Sequence, residues 1–225
     1  LVSLAVVPIL ISVGKAPEFS APERISLRRI FQISPLAVIG LALNGMSIAM
    51  VFGMGAVYGK SIGMSTSEIG YFMTAPVIGA LVLQYPVGRL SDRFDRRVVI
   101  LGVSAMAAGT LLIASQLGIG NFALLLVCMV VFGGFLFPLY SLCIAHANAL
   151  LPPSQMVAVA SGLVMMSGAG AVIGSPLAAL SLEYLGVASF FPLLASTQIA
   201  TAIFVIIRMT RRRAVPTAAQ GPFIA

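Results

Sequence analysis

The charged residues of this chain are gathered into short clusters separated by long runs that contain none. No Asp, Glu, Lys or Arg occurs in residues 30–59, 69–88, 98–182 or 184–207. Only 8% of the residues are charged and 60% are apolar, whereas a soluble domain carries about 25% charge. So few charges cannot coat a water-soluble enzyme, and two cysteines are too few for a secreted disulfide scaffold. The chain is therefore predicted to have lipid as its solvent.

Six membrane-spanning helices are predicted from these runs. Turn-rich segments at 118–121 and 148–154 divide the longest run. Each resulting span is long enough to cross about 30 Å of hydrocarbon. The predicted spans are 35–58, 69–87, 98–117, 122–145, 157–182 and 187–207. They form two units of three, so the expected fold class is an all-α membrane protein with a six-helix bundle over residues 35–209.

The basic residues predict the orientation of this bundle. If the segment 14–34 is cytoplasmic, every basic residue except Lys60 lies on the cytoplasmic side, which makes twelve of the thirteen. Such a bias follows the positive-inside rule. It also explains the net charge of +7 without a nucleic-acid partner. The C-terminal tail, residues 210–225, is expected to be cytoplasmic as well.

The residues before the first complete span are predicted to form two segments. Residues 1–13 are apolar but shorter than the roughly 20 residues of a membrane helix, so they are interpreted as the end of a truncated helix in a longer protein. Residues 14–34 are the predicted cytoplasmic loop. Within it, residues 24–31 mix arginines with large apolar side chains, which fits a short helix in the headgroup region and an irregular hinge equally well.

A motif lies between the second and third predicted spans, where residues 84–97 read QYPVGRLSDRFDRR. It resembles the cytoplasmic loop signature of the major facilitator superfamily, Gly-x-Leu-Ala/Ser-Asp-Arg-x-Gly-Arg-Arg. The matching positions are Gly88, Leu90, Ser91, Asp92, Arg93, Arg96 and Arg97. Asp95 stands where the pattern usually has glycine, so the sequence departs from the pattern at the position of the tight turn.

The resemblance extends over essentially the whole chain and implies the C-terminal half of such a transporter, from the end of helix six through helix twelve. It implies a secondary active transporter that moves a small solute by alternating access. Its partner would be the missing N-terminal six-helix half, and proton coupling is compatible with it. Residues 135–148 are similar to a run in a bacterial branch whose substrates are mostly unassigned, which indicates the bacterial inner membrane. No cofactor, metal site or catalytic residue is expected.

The residue types of the motif suit a conformational gate. Gly88 permits a close helix contact, and Asp92 can lie at the N-terminus of a neighbouring helix, where the macrodipole favours an anion. Arginines can pair with carboxylates or lipid phosphates across a seam that opens and closes. The predicted gate residues are Gly88, Leu90, Asp92, Arg93, Arg96 and Arg97. The alternative is a basic turn that only obeys the positive-inside rule.

The span interiors contain no ionisable carboxylate, Lys, Arg or His, so any proton relay is expected elsewhere. Gly170 and Gly174 form a small-residue face, and Pro176 can bend the same helix. In the superfamily, helices seven, eight, ten and eleven line the central cavity. That resemblance gives as candidate cavity residues Asn44, Ser47, Tyr71, Thr74, Tyr140, Ser141 and Ser167, with apolar surface from Phe135, Phe137, Met165 and Met166. Helix packing is the alternative for each, and Gln198 is interpreted as structural and His146 as solvated by headgroups.

Two functions from different classes remain open. The first is transport, and the second is a membrane scaffold or sensor that keeps the transporter fold and uses its cytoplasmic tail for a partner. An intramembrane enzyme is disfavoured. No span carries a His-Glu pair, paired aspartates or a Gly-x-Ser-x-Gly nucleophile motif.

Overall fold

The structure, a computed structural model, describes residues 26–117 and 119–211 and forms seven α-helices there, with no strand in that part of the chain. The helices are α1 (Leu27–Ile33), α2 (Pro35–Ser61), α3 (Thr66–Arg93), α4 (Arg96–Ala114), α5 (Phe122–Asn148), α6 (Met156–Tyr184) and α7 (Phe190–Arg211). Short 3-10 turns precede α5, α6 and α7. Helices α2 to α7 are each long and apolar enough to cross a membrane, α7 together with the turn before it. The predicted all-α six-helix bundle is confirmed.

Helices α2, α3, α5 and α6 extend beyond the predicted spans, because hydropathy follows the lipid whereas helical hydrogen bonding does not stop at its boundary. Helix α4 instead ends at Ala114, three residues before the predicted end of its span. In α3 the predicted span is 69–87, but the helix runs from Thr66 to Arg93. A capping box fixes its start: Ser65 Oγ accepts a hydrogen bond from the Glu68 N–H at 3.3 Å, and the Glu68 carboxylate accepts one from the Ser65 N–H at 2.7 Å. At its other end, the helix continues through most of the motif.

Residues 27–33 form a helix and not an irregular hinge. Ser26 caps α1 by accepting a hydrogen bond from the Arg29 N–H at 3.4 Å. Ile30 is 1% exposed and lies beside Gly162 near the start of α6, whereas Leu27 and Phe31 are exposed. This contact fixes α1 to one end of the bundle. The predicted truncated helix, the loop before Ser26 and the tail from residue 212 lie outside the described residues.

The helices pair in a pattern that repeats between the two units of three. Helix α2 packs along α6, α3 packs along α5, and α4 packs against both α5 and α7. The first unit of three is α2, α3 and α4, and the second is α5, α6 and α7. If each helix is exchanged with its counterpart in the other unit, the α2–α6 pair becomes the α3–α5 pair, and the α4–α7 pair maps onto itself. The two units therefore occupy equivalent positions, as expected for a three-plus-three membrane fold.

Glycines allow two of these pairs to approach backbone to backbone. In the α2–α6 pair, a Cβ atom added at Gly170 would meet the backbone of Ala42, and one added at Gly174 would meet that of Met46. In the α3–α5 pair, a Cβ atom at Gly133 would meet the backbone of Pro76. Helices in lipid associate through such small-residue contacts because no hydrophobic force drives them together.

Two apolar cores stack along the bundle. One contains the largest buried aromatic residues, Phe72, Phe132 and Phe190, together with Tyr58, whose ring stacks on that of Phe190 at 4.6 Å. The other contains Ile30 and the buried side chains around it, and lies where α2 and α4 begin and where α3, α5 and α7 end. This end is called the motif end below, because residues 88–97 lie there.

Candidate functional site

Most of the motif is helical, and the loop that remains is two residues long. Gly88 to Arg93 form the last turns of α3, and α4 begins at Arg96, which leaves Phe94 and Asp95 as the connection. The sequence predicts a loop between two spans, and the structure shows a tight corner between two helices at that place. Its geometry depends on how the first turn of α4 is capped.

Asp95 supplies this cap in place of the glycine of the family pattern. Its backbone has φ −56° and ψ 121°, which any residue adopts, so the corner requires no glycine. Its carboxylate accepts a hydrogen bond from the Arg97 N–H at 2.9 Å and forms an ion pair with the Arg97 guanidinium at 3.0 Å. Burial alone would raise the pKa of Asp95, but the hydrogen bonds from Arg97 and the nearby positive charge together outweigh it and hold this pKa below its ordinary value.

Arg96 joins the corner to α5. Its side chain is only 3% exposed, and Nη1 donates a hydrogen bond to the Ala145 carbonyl at 2.7 Å. Ala145 lies in the last turn of α5, and its carbonyl also accepts a hydrogen bond from the Ala149 N–H at 3.1 Å. The Arg96 guanidinium is thus a second donor to this carbonyl, at the helix end where the macrodipole favours a cation. Asp92 interacts electrostatically with Arg96. The motif thus connects the end of α3, the start of α4 and the end of α5.

The remaining motif residues divide between a buried and an exposed side of α3. Gly88 and Ser91 are buried, whereas Leu90, Asp92 and Arg93 are exposed. Two of the predicted gate arginines, Arg96 and Arg97, are therefore engaged within this bundle, and the exposed side is the part that can meet another surface.

Two predicted cavity residues, Asn44 and Ser47, lie inside the bundle and do not reach its exposed face. Ser47 Oγ is hydrogen-bonded to Thr197 Oγ1 at 2.6 Å and accepts a hydrogen bond from Gln198 Nε2 at 2.9 Å. Asn44 is one turn earlier on the same side of α2 and is fully buried. Ser47 thus belongs to a polar seam between α2 and α7, where hydrogen bonding between helices is the alternative that sequence reasoning allowed.

The other predicted cavity residues are accessible in this structure. Tyr71 is 63% exposed on α3, and Thr74 follows it one turn later. Tyr140 and Ser141 are half-buried on α5, and Ser167 is half-buried on α6 against Gly45 of α2. Of the apolar candidates, Phe137 meets Phe52 of α2 edge to face at 6.2 Å, Phe135 and Met166 are half-buried, and Met165 is exposed.

Helices α3 and α6 expose the broadest apolar surface and are the least buried of the six long helices. On α3 this surface includes Leu81 and Val82, and on α6 it includes Val172 and Ile173, all more than half exposed. These side chains recur every three to four residues along each helix and form continuous stripes. Contiguous apolar stripes require a lipid or protein neighbour.

Sequence reasoning missed the polar seam. The signal for it was present in α7, where Thr197, Gln198 and Thr201 recur at one-turn spacing within an apolar helix and are all buried. It also missed a cleft at the motif end that brings Ser34, Arg97, His146 and Arg208 together, since these residues come from four different helices and linkers. Among the described residues, no group of three His, Cys, Asp or Glu side chains could hold a metal ion.

Comparison with known proteins gives a consistent set of relatives. Residues 37–224 match the family model of the Major Facilitator Superfamily. The chain is 27% identical over 149 residues to the uncharacterised MFS-type transporter YcaD of Salmonella arizonae, a match that covers 66% of this chain and 37% of that protein. YcaD proteins of Salmonella newport and Salmonella dublin match with the same identity and coverage. The match thus spans little more than a third of the length of these curated relatives.

Proposed function

Because the chain belongs to the Major Facilitator Superfamily, a family of multi-pass membrane transporters, we propose that it forms the C-terminal six-helix half of a secondary transporter. The half would move a small solute by rocking against a second bundle, so that a central cavity opens alternately to each side of the membrane. The observation that carries this proposal is the combination of the motif corner with accessible apolar stripes on α3 and α6.

The partner proposed for those stripes is an N-terminal six-helix half. Helices α3 and α6 are symmetry-equivalent in the pairing pattern, so their stripes form a matched pair of surfaces. The relatives are also longer than the matched segment, which leaves room for a second bundle in such a protein. A second half with similar stripes would cover both surfaces when the two bundles meet.

The gate is proposed to use the exposed side of the motif. Leu90, Asp92 and Arg93 lie at the end of one of the two stripes, so contacts made by them differ between a closed and an open arrangement of the halves. Only contacts that differ between two states can shift their equilibrium. Arg96 and Arg97 hold the corner in place, and their contribution is to position the exposed side. Gly88 is buried in α3 one turn before Asp92.

Transport by the intact protein tests the gate. Asp92→Asn and Arg93→Ala are expected to lower solute uptake by about tenfold at equal membrane abundance, since loss of one charge-assisted contact changes a two-state equilibrium by that order. Arg89→Ala is the matched control, because Arg89 is exposed one turn earlier and its guanidinium lies over the Tyr85 ring. Unchanged uptake in both motif variants would contradict the proposed gate.

A second measurement, cysteine labelling from each side of the membrane, distinguishes a transporter from a scaffold or sensor. Single cysteines placed at Tyr71 and at Thr74 in the intact protein are labelled from each side of the membrane with a water-soluble maleimide. Alternating access predicts that labelling from each side changes when a transported solute is added. Labelling that stays restricted to one side under all conditions would favour a non-transporting protein.

Five residues remain as the proposed solute-cavity lining: Tyr71, Thr74, Tyr140, Ser141 and Ser167. Their hydroxyl groups can hydrogen-bond a polar solute, and the neighbouring aromatic and methionine side chains can contact its apolar part. The sequence also predicts Asn44 and Ser47 for this lining, and both are buried within this bundle. Proton coupling would require an ionisable group outside the interiors of these spans.

The motif end is proposed to face the cytoplasm of a bacterial cell. Within the described residues the arginines lie at this end, and Lys60 lies at the opposite end, in agreement with the positive-inside rule. Cysteines introduced at Ser26 and at Ser61 provide the test. An impermeant reagent added to intact cells is expected to label the Ser61 position and leave the Ser26 position unlabelled.

A further inference from the structure

A cleft of about 50 Å³ opens at the motif end between four elements of the bundle. Its walls include Ser34 and Leu36 at the start of α2, Arg97 in the first turn of α4, His146 in the last turn of α5, and Arg208 near the end of α7. The cleft has room for a group the size of a few water molecules, which is too small for a whole metabolite.

The start of α2 leaves hydrogen-bond donors at this cleft. Pro35 occupies the first helical position, and the N–H groups of the next residues have no acceptor within the helix because of their position. Ser34 is the N-cap residue, but its hydroxyl makes no capping hydrogen bond. It is 1% exposed and has no hydrogen-bond partner in the structure, although it lines the cleft. A buried hydroxyl in that condition is costly unless something enters the cleft to bond it.

The charges around the cleft favour an anion. Arg97 is 8% exposed and lines the cleft with Arg208. His146 interacts electrostatically with both Arg97 and Arg208, which places all three groups in one cluster. Arg96 is also part of the cluster, whereas the carboxylates near it are those of Asp92 and Asp95. Among the described residues, three guanidinium groups against two carboxylates leave an excess of positive charge in this cluster.

We propose that this cleft binds a phosphate group, which can be the headgroup phosphate of an anionic phospholipid or a soluble phosphate. The N-terminus of α2 and the Ser34 hydroxyl would donate hydrogen bonds to its oxygens, and Arg97 and Arg208 would supply charge. A tetrahedral anion matches donors that converge from several directions, and its size suits the cleft. Phosphate binding here does not require that the protein transports a solute.

Binding is measured on the intact protein in detergent with two probes, phosphatidylglycerol and inorganic phosphate. Retention of phosphatidylglycerol is counted by native mass spectrometry with phosphatidylcholine as competitor, and phosphate affinity is measured by calorimetry at constant ionic strength. Ser34→Ala and Arg208→Gln are each expected to weaken binding of the preferred probe by about tenfold, as loss of one charge-assisted hydrogen bond does. Arg89→Gln is the matched control, because Arg89 is an exposed arginine at the same end and does not line the cleft.

The two probes distinguish the source of the phosphate. Selective retention of phosphatidylglycerol, without a measurable effect of inorganic phosphate, identifies a lipid site, and the converse identifies a site for a soluble anion. Arg208→Lys is included because it keeps the charge if Arg208→Gln does not fold, and it is expected to retain part of the affinity. The proposal is overturned if neither probe binds, or if Ser34→Ala and Arg208→Gln bind like the wild type.

Discussion

At the α3–α4 corner an N-capping carboxylate replaces the glycine of the family pattern. A glycine there would offer backbone freedom, but the observed φ is negative and needs none. Asp95 instead bonds the first turn of α4 and pairs with Arg97. The sequence indicates the departure from the pattern, but it does not reveal that the acid caps the next helix, because capping depends on where that helix begins.

Asp95 is expected to stabilise the corner. Asp95→Ala removes the cap and should lower the free energy of unfolding by about 1 kcal/mol, whereas Asp95→Asn keeps an N-cap acceptor and should cost less. Thermal unfolding of the purified intact protein measures both. An Asp95→Ala variant as stable as Asp95→Asn would show that the cap contributes nothing.

The lowered pKa of Asp95 gives this contribution a pH dependence. Because the folded state holds the pKa below its ordinary value, the contribution is complete above the unfolded pKa and is lost as the pH falls through the folded one. The stability difference between wild type and Asp95→Asn should therefore shrink as the pH is lowered from neutral into that acidic range. A difference that stays constant over this range would contradict the assignment.

Two buried amide side chains, Gln198 and Asn44, differ in their hydrogen bonding. Gln198 donates a hydrogen bond to Ser47, whereas neither side-chain atom of Asn44 has a partner in the structure. Helical periodicity predicts that Asn44 and Ser47 share a face of α2. It does not predict which neighbour covers that face, so the burial of both residues within this bundle follows only from the arrangement of the helices.

The two amides should respond differently to replacement by leucine. Asn44→Leu removes polar atoms that are buried without partners and should leave the melting temperature unchanged or raise it. Gln198→Leu removes a hydrogen bond and leaves Ser47 with one partner fewer, so it should lower stability by about 1 kcal/mol. A large loss of stability in Asn44→Leu would indicate that Asn44 has a partner, such as a buried water molecule.

At the scale of elements, the charge-free runs predict the number and order of the long helices correctly. They underestimate the length of helices such as α3, since polar residues such as Ser65 and Glu68 extend a helix beyond the lipid by capping it. They also contain no information on helix pairing. The partners of α3 and α2 follow from where glycines allow backbones to approach, which is visible only when both helices are present.

Glycine contacts between paired helices should be sensitive to a single methyl group. Gly133→Ala places a Cβ atom against the backbone of Pro76 in α3, which cannot move aside as a side chain can. A loss of about 1 to 3 kcal/mol is expected from such overpacking. Gly109→Ala in α4 is the matched control, since no atom lies within 4 Å of the added Cβ. It should be neutral or stabilising because alanine favours helix. Equal melting temperatures for the two variants would contradict the close contact.

At the scale of the whole molecule, the stripes on α3 and α6 are the surfaces that the proposed second half would cover. Composition predicts the lipid-facing surface, but it does not distinguish apolar residues that face lipid from those that face protein. That distinction requires the arrangement of the helices. The position of the motif at the end of α3 is a second reason to propose that a partner half lies on this side.

Polar substitutions can distinguish a surface that contacts a second half from one that contacts lipid. Leu81→Asn on α3 should weaken co-purification of this half with a separately expressed N-terminal half, since the amide would be buried between them. Ile203→Asn on α7 is the control, because this residue is also about half exposed but lies outside both stripes. Undiminished recovery with Leu81→Asn would argue that lipid, and not protein, covers α3.

The backbone contacts at Gly133, Gly170 and Gly174 also determine which movements are easy within the bundle. Where two backbones touch, sliding one helix along the other must lift it over peptide groups, and no rotamer change can absorb the displacement. The α2–α6 pair and the α3–α5 pair should therefore each move as one rigid unit. Bending would then be concentrated in the side-chain layers between these two pairs and the α4–α7 pair. A small molecule that restricts such bending would have to bind in those layers.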